Sequence, residues 1–285
     1  MSFCAKSSAH AAPRRPQAAP CRVAIAGLGP IGLKVARALD DGIDGLALAA
    51  VAVGDPNKPR PELERLTRKP QIVALDALEA AADLVVECAP AALLRAIVEP
   101  FVTRGKTVVV LSVGALLDHW DLVELAKQNG GQIVVPTGAL IGLDAVTAAA
   151  EGVIHSVRLV TRKPVKGLLG APYVTANRID LESLRGPQKI FSGTAREAAK
   201  GFPANLNVGA ALSLAGVGPD KTMVEIWADP GLDRNNHAIE VDADSARFSM
   251  TIANVPSENP KTGRITALSV IAALRKMSAA LRIGT

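Results

Sequence analysis

Cysteine and aromatic side chains are scarce in this chain. Its 285 residues include three cysteines, Cys4, Cys21 and Cys88, and aromatics make up 3%. An odd, sparse set without metal-ligand spacing argues against a disulfide framework and a cysteine metal centre, and it suits a reducing compartment. The formal charge of +5 invites a nucleic-acid partner, but the basic residues are scattered and the aromatics too few for a stacking platform or a basic stripe. No apolar run reaches the roughly 18 to 20 residues of a membrane span, and the N-terminus lacks the apolar core of a secretory signal. Acidic residues are missing from residues 1–20, MSFCAKSSAHAAPRRPQAAP, where Ala, Pro and Ser dominate. That composition predicts a disordered tail. Transit peptides share it, so an organellar address is the alternative to the cytoplasm.

Apolar material is plentiful at 49%, enough for one large domain or two ordinary ones. The segment AIAGLGPIGLKVARALDD, residues 24–41, reads as a strand, a glycine turn and a helix with Leu33, Val35, Ala36 and Leu39 on its buried face. In that setting Gly27 makes the tight turn, Gly29 lets backbone approach a ligand, and Gly32 lets the helix pack closely on the strand. Pro30 and Ile31 open the helix, where the fixed φ of proline is suited and its missing N–H costs nothing. A phosphate-bearing ligand, a dinucleotide above all, then sits at the positive end of the helix dipole.

Further along, 46–53, 72–75, 83–89, 107–113 and 132–135 read as strands. They alternate with helices over 61–67, 78–82, 91–104 and 120–129. This alternation predicts an α/β fold with a Rossmann-type doubly wound parallel sheet over residues 21–137, its ligand outside the carboxyl ends of the strands. Asp55, past the second strand, is placed either to take the adenosine ribose hydroxyls or to open a turn with Pro56 and Asn57. With Lys58 and Arg60 following, NAD and NADP both remain admissible. Ala89, at the carboxyl end of the strand over 83–89, is small enough to admit a flat ring beside it. Cys88 lacks a legible base or stabilising charge and reads as a packing thiol.

From Gly138 the text changes to longer polar strands, VIHSVRLVTRKP and MVEIWADP, with few crossover helices. A second α+β domain with a mixed or antiparallel sheet is expected over 138–261. A small-residue helix starts near Leu143, and Asn205 and Asn207 precede another, which Asn207 is suited to cap. TRKP, residues 161–164, puts Arg162 and Lys163 at a strand end, either as a clamp for an anionic substrate or as a solvated end. Arg234 is a third cation. His237 is expected in a polar loop with Asp229, Asp233, Arg234, Asn235 and Asn236, and an imidazole suits proton exchange near neutrality.

The segments GLGPIG, PTGALIGLDA, TRKP, FPANLNV, ADPGLDRNNH and NPKTGRITALS occur in an order and setting that resemble the L-aspartate dehydrogenase family over about residues 22–285. The resemblance implies a cytoplasmic NAD(P)-dependent amino-acid dehydrogenase interconverting L-aspartate and iminoaspartate, or oxaloacetate plus ammonia, linked to NAD biosynthesis. It puts dinucleotide contacts on Ala139 and Asn207 and the catalytic histidine on His237. It also implies that the C-terminal helix, from Thr262 to the end at 285, returns to the dinucleotide-binding domain. A homodimer is expected, with no metal, nucleic-acid or membrane partner. Two other readings are an oxidoreductase of homoserine or dihydrodipicolinate type and a non-catalytic dinucleotide-binding module.

Overall fold

The computed structural model describes residues 19–55, 58, 60–203, 206–257 and 263–285. The expected N-terminal tail therefore lies almost wholly outside the described residues, as do Pro56, Asn57, Asn205 and Thr262. The first half runs β1 (Cys21–Ala26), α1 (Pro30–Gly42), β2 (Leu46–Ala52), α2 (Pro61–Glu64), β3 (Gln71–Val73), α3 (Leu78–Ala81), β4 (Leu84–Glu87), α4 (Leu94–Thr103), β5 (Thr107–Val110), α5 (Val113–Leu116), α6 (Asp121–Asn129) and β6 (Gln132–Val134). Its strands form one six-stranded sheet in the order β3-β2-β1-β4-β5-β6, and every pairing is parallel. The order reverses beside β1, which is where a doubly wound sheet opens its ligand crevice.

The central strands are largely apolar because helices cover both faces, the exceptions being Arg22 near the start of β1 and Glu87 at the end of β4. Val23, Ile25, Val86 and Val109 pack with Val35 and Leu39 of α1 on one side. Ala24, Ala26, Val85, Val108 and Val110 pack with Leu94, Ile97 and Phe101 of α4 on the other.

The second half runs α7 (Leu143–Ala150), β7 (Ile154–Lys163), α8 (Pro172–Ala176), β8 (Gln188–Thr194), α9 (Ala195–Gly201), α10 (Asn207–Ala215), β9 (Met223–Ala228), β10 (Asn235–Ala243), β11 (Arg247–Asn254) and α11 (Ile265–Ser278). These strands form a five-stranded sheet in the order β11-β10-β7-β9-β8. It is mixed, with β7 and β9 parallel and the other pairs antiparallel. One face is covered, with Val157, Leu159, Val224, Ile226, Ile239 and Val241 meeting Val146, Ala198, Phe202 and Leu212 from the helices. On the other face Arg158 reaches Glu225 and Glu240 across strands. The closing helix α11 leaves this sheet and packs against α1, where Val270 and Leu274 join the cluster of Val35 and Leu39.

Three local expectations are corrected. The strand expected over 107–113 stops at Val110, and Val113 begins the short helix α5. The cause is the buried Glu87 carboxylate, which accepts the backbone N–H groups of Leu111 and Ser112 at 3.0 and 2.8 Å and so takes donors a longer ladder would need. Second, besides the expected helix after Asn207, two short helices, α8 and α9, lie between β7 and β9. α9 is announced locally by a capping box in which Thr194 and Glu197 satisfy each other's backbone donors. Third, His237 lies within β10 rather than in a loop.

Candidate active site

The glycine loop follows β1 directly. Gly27 has φ +96, and a Cβ there would stand 2.6 Å from the Cys88 carbonyl oxygen and 2.9 Å from the Ala89 nitrogen. The turn after β1 is thus closed against the turn after β4 by a glycine-only contact. A Cβ on Gly32 would overlap the Gly27 carbonyl oxygen, so α1 can begin this close to β1 only with a glycine at that position. Gly29 differs from both, since nothing lies within 4 Å of its Cβ position and its φ of −70 is open to any residue. The open space lies over the start of α1, which carries no side-chain cap and no acid in its first turn. Uncapped N–H groups and unfilled space beside them are what a pyrophosphate needs, so these residues fit a dinucleotide.

At the neighbouring strand ends Asp55 is exposed, and Arg60 donates Nη2 to its carbonyl at 2.8 Å. Burial, and after it the adjacent Glu87, pushes the Cys88 thiol well above its ordinary value, which agrees with a packing thiol rather than a nucleophile.

A cavity lies at the junction of the two sheets. Ile31 in the first turn of α1, Val110 at the end of β5, Val113 at the start of α5, Ala139 of the connector, Asn207 at the start of α10, and Lys163, Asn235 and His237 of the mixed sheet all line it. Asn207 does not cap its own helix. Its Oδ1 accepts the Gly114 N–H at 3.0 Å, tying α10 to α5 across the two halves. The connector is held from two sides, because the Ala139 carbonyl accepts Nδ2 of Asn254 at 2.9 Å and Gly138 donates its N–H to Ser269 Oγ of α11 at 3.0 Å.

His237 is 3% exposed and stands opposite Thr161 in the β10–β7 ladder. Its Nδ1 lies 2.9 Å from Thr161 Oγ1, and the residue lines the cavity. Burial, reinforced by the positive charge of Lys163, lowers its pKa from 6.5 to about 3. The imidazole is therefore neutral across the working range, not a group titrating near 6.5. Lys163 is also 3% exposed, and burial lowers its pKa to about 8.

Alternation along β7 decides which expected cations reach the cavity. Thr161 and Lys163 point inward, while Arg162 is exposed and lies over the Trp227 ring at 5.1 Å. Two successive strand residues cannot form one clamp, since they face opposite sides. Arg234 is half-buried and pairs with Asp233, its Nε donating at 2.8 Å. The structure thus leaves Lys163 as the expected cation that lines the cavity. Sequence reasoning overlooked Thr161, whose period-two spacing from Lys163 in T-R-K was the available signal. It also overlooked Glu87 as a terminator, for which no local signal exists.

Comparison with known proteins shows the family. Residues 27–136 match the family model for the NAD-binding domain of homoserine dehydrogenase, and residues 144–277 match that for the C-terminal domain of aspartate dehydrogenase. The chain is 68% identical to an L-aspartate dehydrogenase of Bradyrhizobium diazoefficiens, covering 93% of this chain and 94% of that one. It is 56% identical to L-aspartate dehydrogenase 3 of Bordetella bronchiseptica, with 92% and 97% covered. The crystal structure of an aspartate dehydrogenase from Thermotoga maritima shares the fold, with a TM-score of 0.70 at 21% identity over 93% of this chain and 99% of that one. The chain belongs to the L-aspartate dehydrogenase family.

Proposed function

We propose that this protein is an NAD(P)-dependent L-aspartate dehydrogenase, interconverting L-aspartate with oxaloacetate plus ammonia through iminoaspartate. The observation that carries the reading is the Lys163–His237 pair, buried in a cavity that also borders the glycine loop, Ala139 and Asn207. Residues 21–137, with the returning segment 262–285, would hold the dinucleotide, and 138–261 the substrate.

The loop of Gly27, Gly29, Pro30, Ile31 and Gly32 would take the pyrophosphate on the N-terminus of α1. Asp55 would stand near the ribose and Ala89 beside the loop, with Ala139 and Asn207 toward the cavity. Bound NAD(P) supplies a hydride acceptor or donor. The chain's own residues do the rest. The apolar Val110, Val113 and Val208 keep bulk water from the reacting carbon. Lys163, charged below about pH 8, draws a dicarboxylate inward. His237, with Nδ1 engaged by Thr161, offers Nε2 to the substrate nitrogen or to the water that attacks the imine.

Among the described residues no helix is long and apolar enough to cross a membrane. A cytoplasmic homodimer contributing to NAD biosynthesis completes the proposal. The test is NADH and NADPH oxidation by purified protein with oxaloacetate plus ammonia, beside 2-oxoglutarate and pyruvate. Turnover confined to oxaloacetate is expected, whereas equal turnover of all three keto acids would sink the assignment.

A further inference from the structure

We propose that Asn235 sets the preference for a dicarboxylate, its carboxamide donating to the side-chain carboxylate of aspartate or oxaloacetate beside the Lys163 ammonium, while His237 remains the group at the reacting carbon. The inference rests on the dehydrogenase reading above and names a further residue of the same site.

Its ground is the register of two strands. In the antiparallel β10–β7 ladder His237 stands opposite Thr161 and Asn236 opposite Arg162, so the next rung sets Asn235 opposite Lys163. Side chains alternate along each strand. Asn235 and His237 therefore share one face of β10, and Lys163, Asn235 and His237 all line the cavity. Arg162 and Asn236 turn to the other face, where both border a separate hollow. Residues directly opposed in a ladder hold their Cβ atoms about 5 Å apart, close enough for two side chains to grip one carboxylate.

The cavity wall calls for a neutral donor. A dicarboxylate brings two negative charges, yet of the described lining residues only Lys163 and His237 ionise. Thr137, Asn207 and Thr266 also line the cavity, but they come from the connector, α10 and α11, and Asn207 Oδ1 is already taken by the Gly114 N–H. Asn235 comes from the ladder that carries Lys163 and His237. Among the described residues its carboxamide has no hydrogen-bond partner, and unlike Asn236 Oδ1 and Asn254 Oδ1 it is not sealed from solvent.

Depth decides which carboxylate it meets. His237 and Lys163 are both buried, whereas Asn235 is half-buried and also borders an outer hollow with Lys166 and Arg234. It stands at the rim. Two residues along β10 from His237 is about 6.6 Å, farther than the α-carboxylate lies from the carbon to which it is bonded. With the reacting carbon deep beside His237, the side-chain carboxylate is the one that reaches the rim between Asn235 and Lys163. A donor left unpaired there penalises any substrate without that carboxylate.

Two substitutions test the assignment. Asn235→Ala removes the donor, and Asn235→Asp keeps the shape but puts an anion where the substrate's own charge would lie. In oxidative deamination of L-aspartate both should raise KM about 10- to 100-fold with kcat near the parental value, because the contact is made in ground and transition states alike. Competitive inhibitors identify the carboxylate. The inhibition constant of succinate should rise with KM, while that of L-alanine, which has the amine and α-carboxylate alone, should stay parental. A parental KM in Asn235→Asp, or a loss shared equally by L-alanine, overturns the inference.

Calorimetric titration of succinate into the dinucleotide-loaded parent and Asn235→Ala needs no turnover. Weaker binding by the variant is expected, and equal binding overturns the inference. A parent whose succinate binding depends on Asn235 but which leaves aspartate untouched would remove the dehydrogenase reading and keep the clamp.

Discussion

The two sheets use different chemistry for their sites. In the parallel sheet, the proposed site sits in backbone at strand ends, where Gly27, Gly29 and Gly32 matter for the side chains they lack. In the mixed sheet it sits in side chains within strands, with Thr161, Lys163 and His237 projecting from one face. Burial explains the division. A sheet covered on both faces has no mid-strand position facing a ligand and must recognise from its ends. A sheet with one helix-covered face can aim ladder residues into a cavity where that cover ends, and the ladder holds them to a fixed spacing.

Substitutions can break this comparison, beginning with the largest effect. Gly32→Val should abolish dinucleotide binding and lower the melting temperature, because a Cβ there overlaps a backbone oxygen that has no rotamer to escape into. A stable, fully binding variant would show that the loop has slack the geometry denies. His237→Asn should cost about 10² to 10⁴ in kcat, the span typical of a lost acid–base or hydrogen-bonding group at the reacting atoms. Dinucleotide affinity should stay constant, and no limb near pH 6.5 should disappear, since the parent ring is already neutral there. Kinetics across pH 5 to 10 check both halves of that statement.

Gly29→Val sharpens the contrast within the loop. Its side chain would enter open space, so the melting temperature should hold while the dinucleotide Kd rises about tenfold, or about 1.4 kcal/mol. Calorimetric titration showing parental affinity would take Gly29 out of the site. The smallest effect is expected for Arg162→Ala. Its guanidinium lies over Trp227 on the far face, so the KM for aspartate should stay within about twofold, in the range of a surface change. A large rise in KM would mean that the outer face takes part in catalysis, by way of a second subunit.

The parallel half was legible in the sequence because its signals are local. β1, β4 and β5 are built around the apolar runs Val23–Ala26, Leu84–Val86 and Val108–Val110, and the glycine loop carries its own spacing. The most displaced strand end there, at Val110, depends on Glu87, a carboxylate remote in sequence. The mixed half was harder. Asn235 and Asn236 look like loop residues beside His237, yet they extend β10 into register with Asn254, Ala253 and Arg162. Polar residues read as loop whenever the surface they face is a cavity rather than a core. Lys163 and Arg162 could have been told apart from sequence, because period two separates neighbours once the strand is recognised. The depressed basicity of His237 could not, since it arises from burial by segments far away in the chain.

The return of α11 to α1 has a consequence for the order in which the protein is made. Val35 and Leu39 leave the ribosome long before the Val270 and Leu274 that cover them. The nucleotide-binding layer therefore cannot close vectorially, and its apolar flank waits for that helix. Contacts of such long sequence separation slow folding and leave nascent surface open to aggregation. A nascent chain stopped before Arg264 should bind a hydrophobic dye that the released full-length protein excludes.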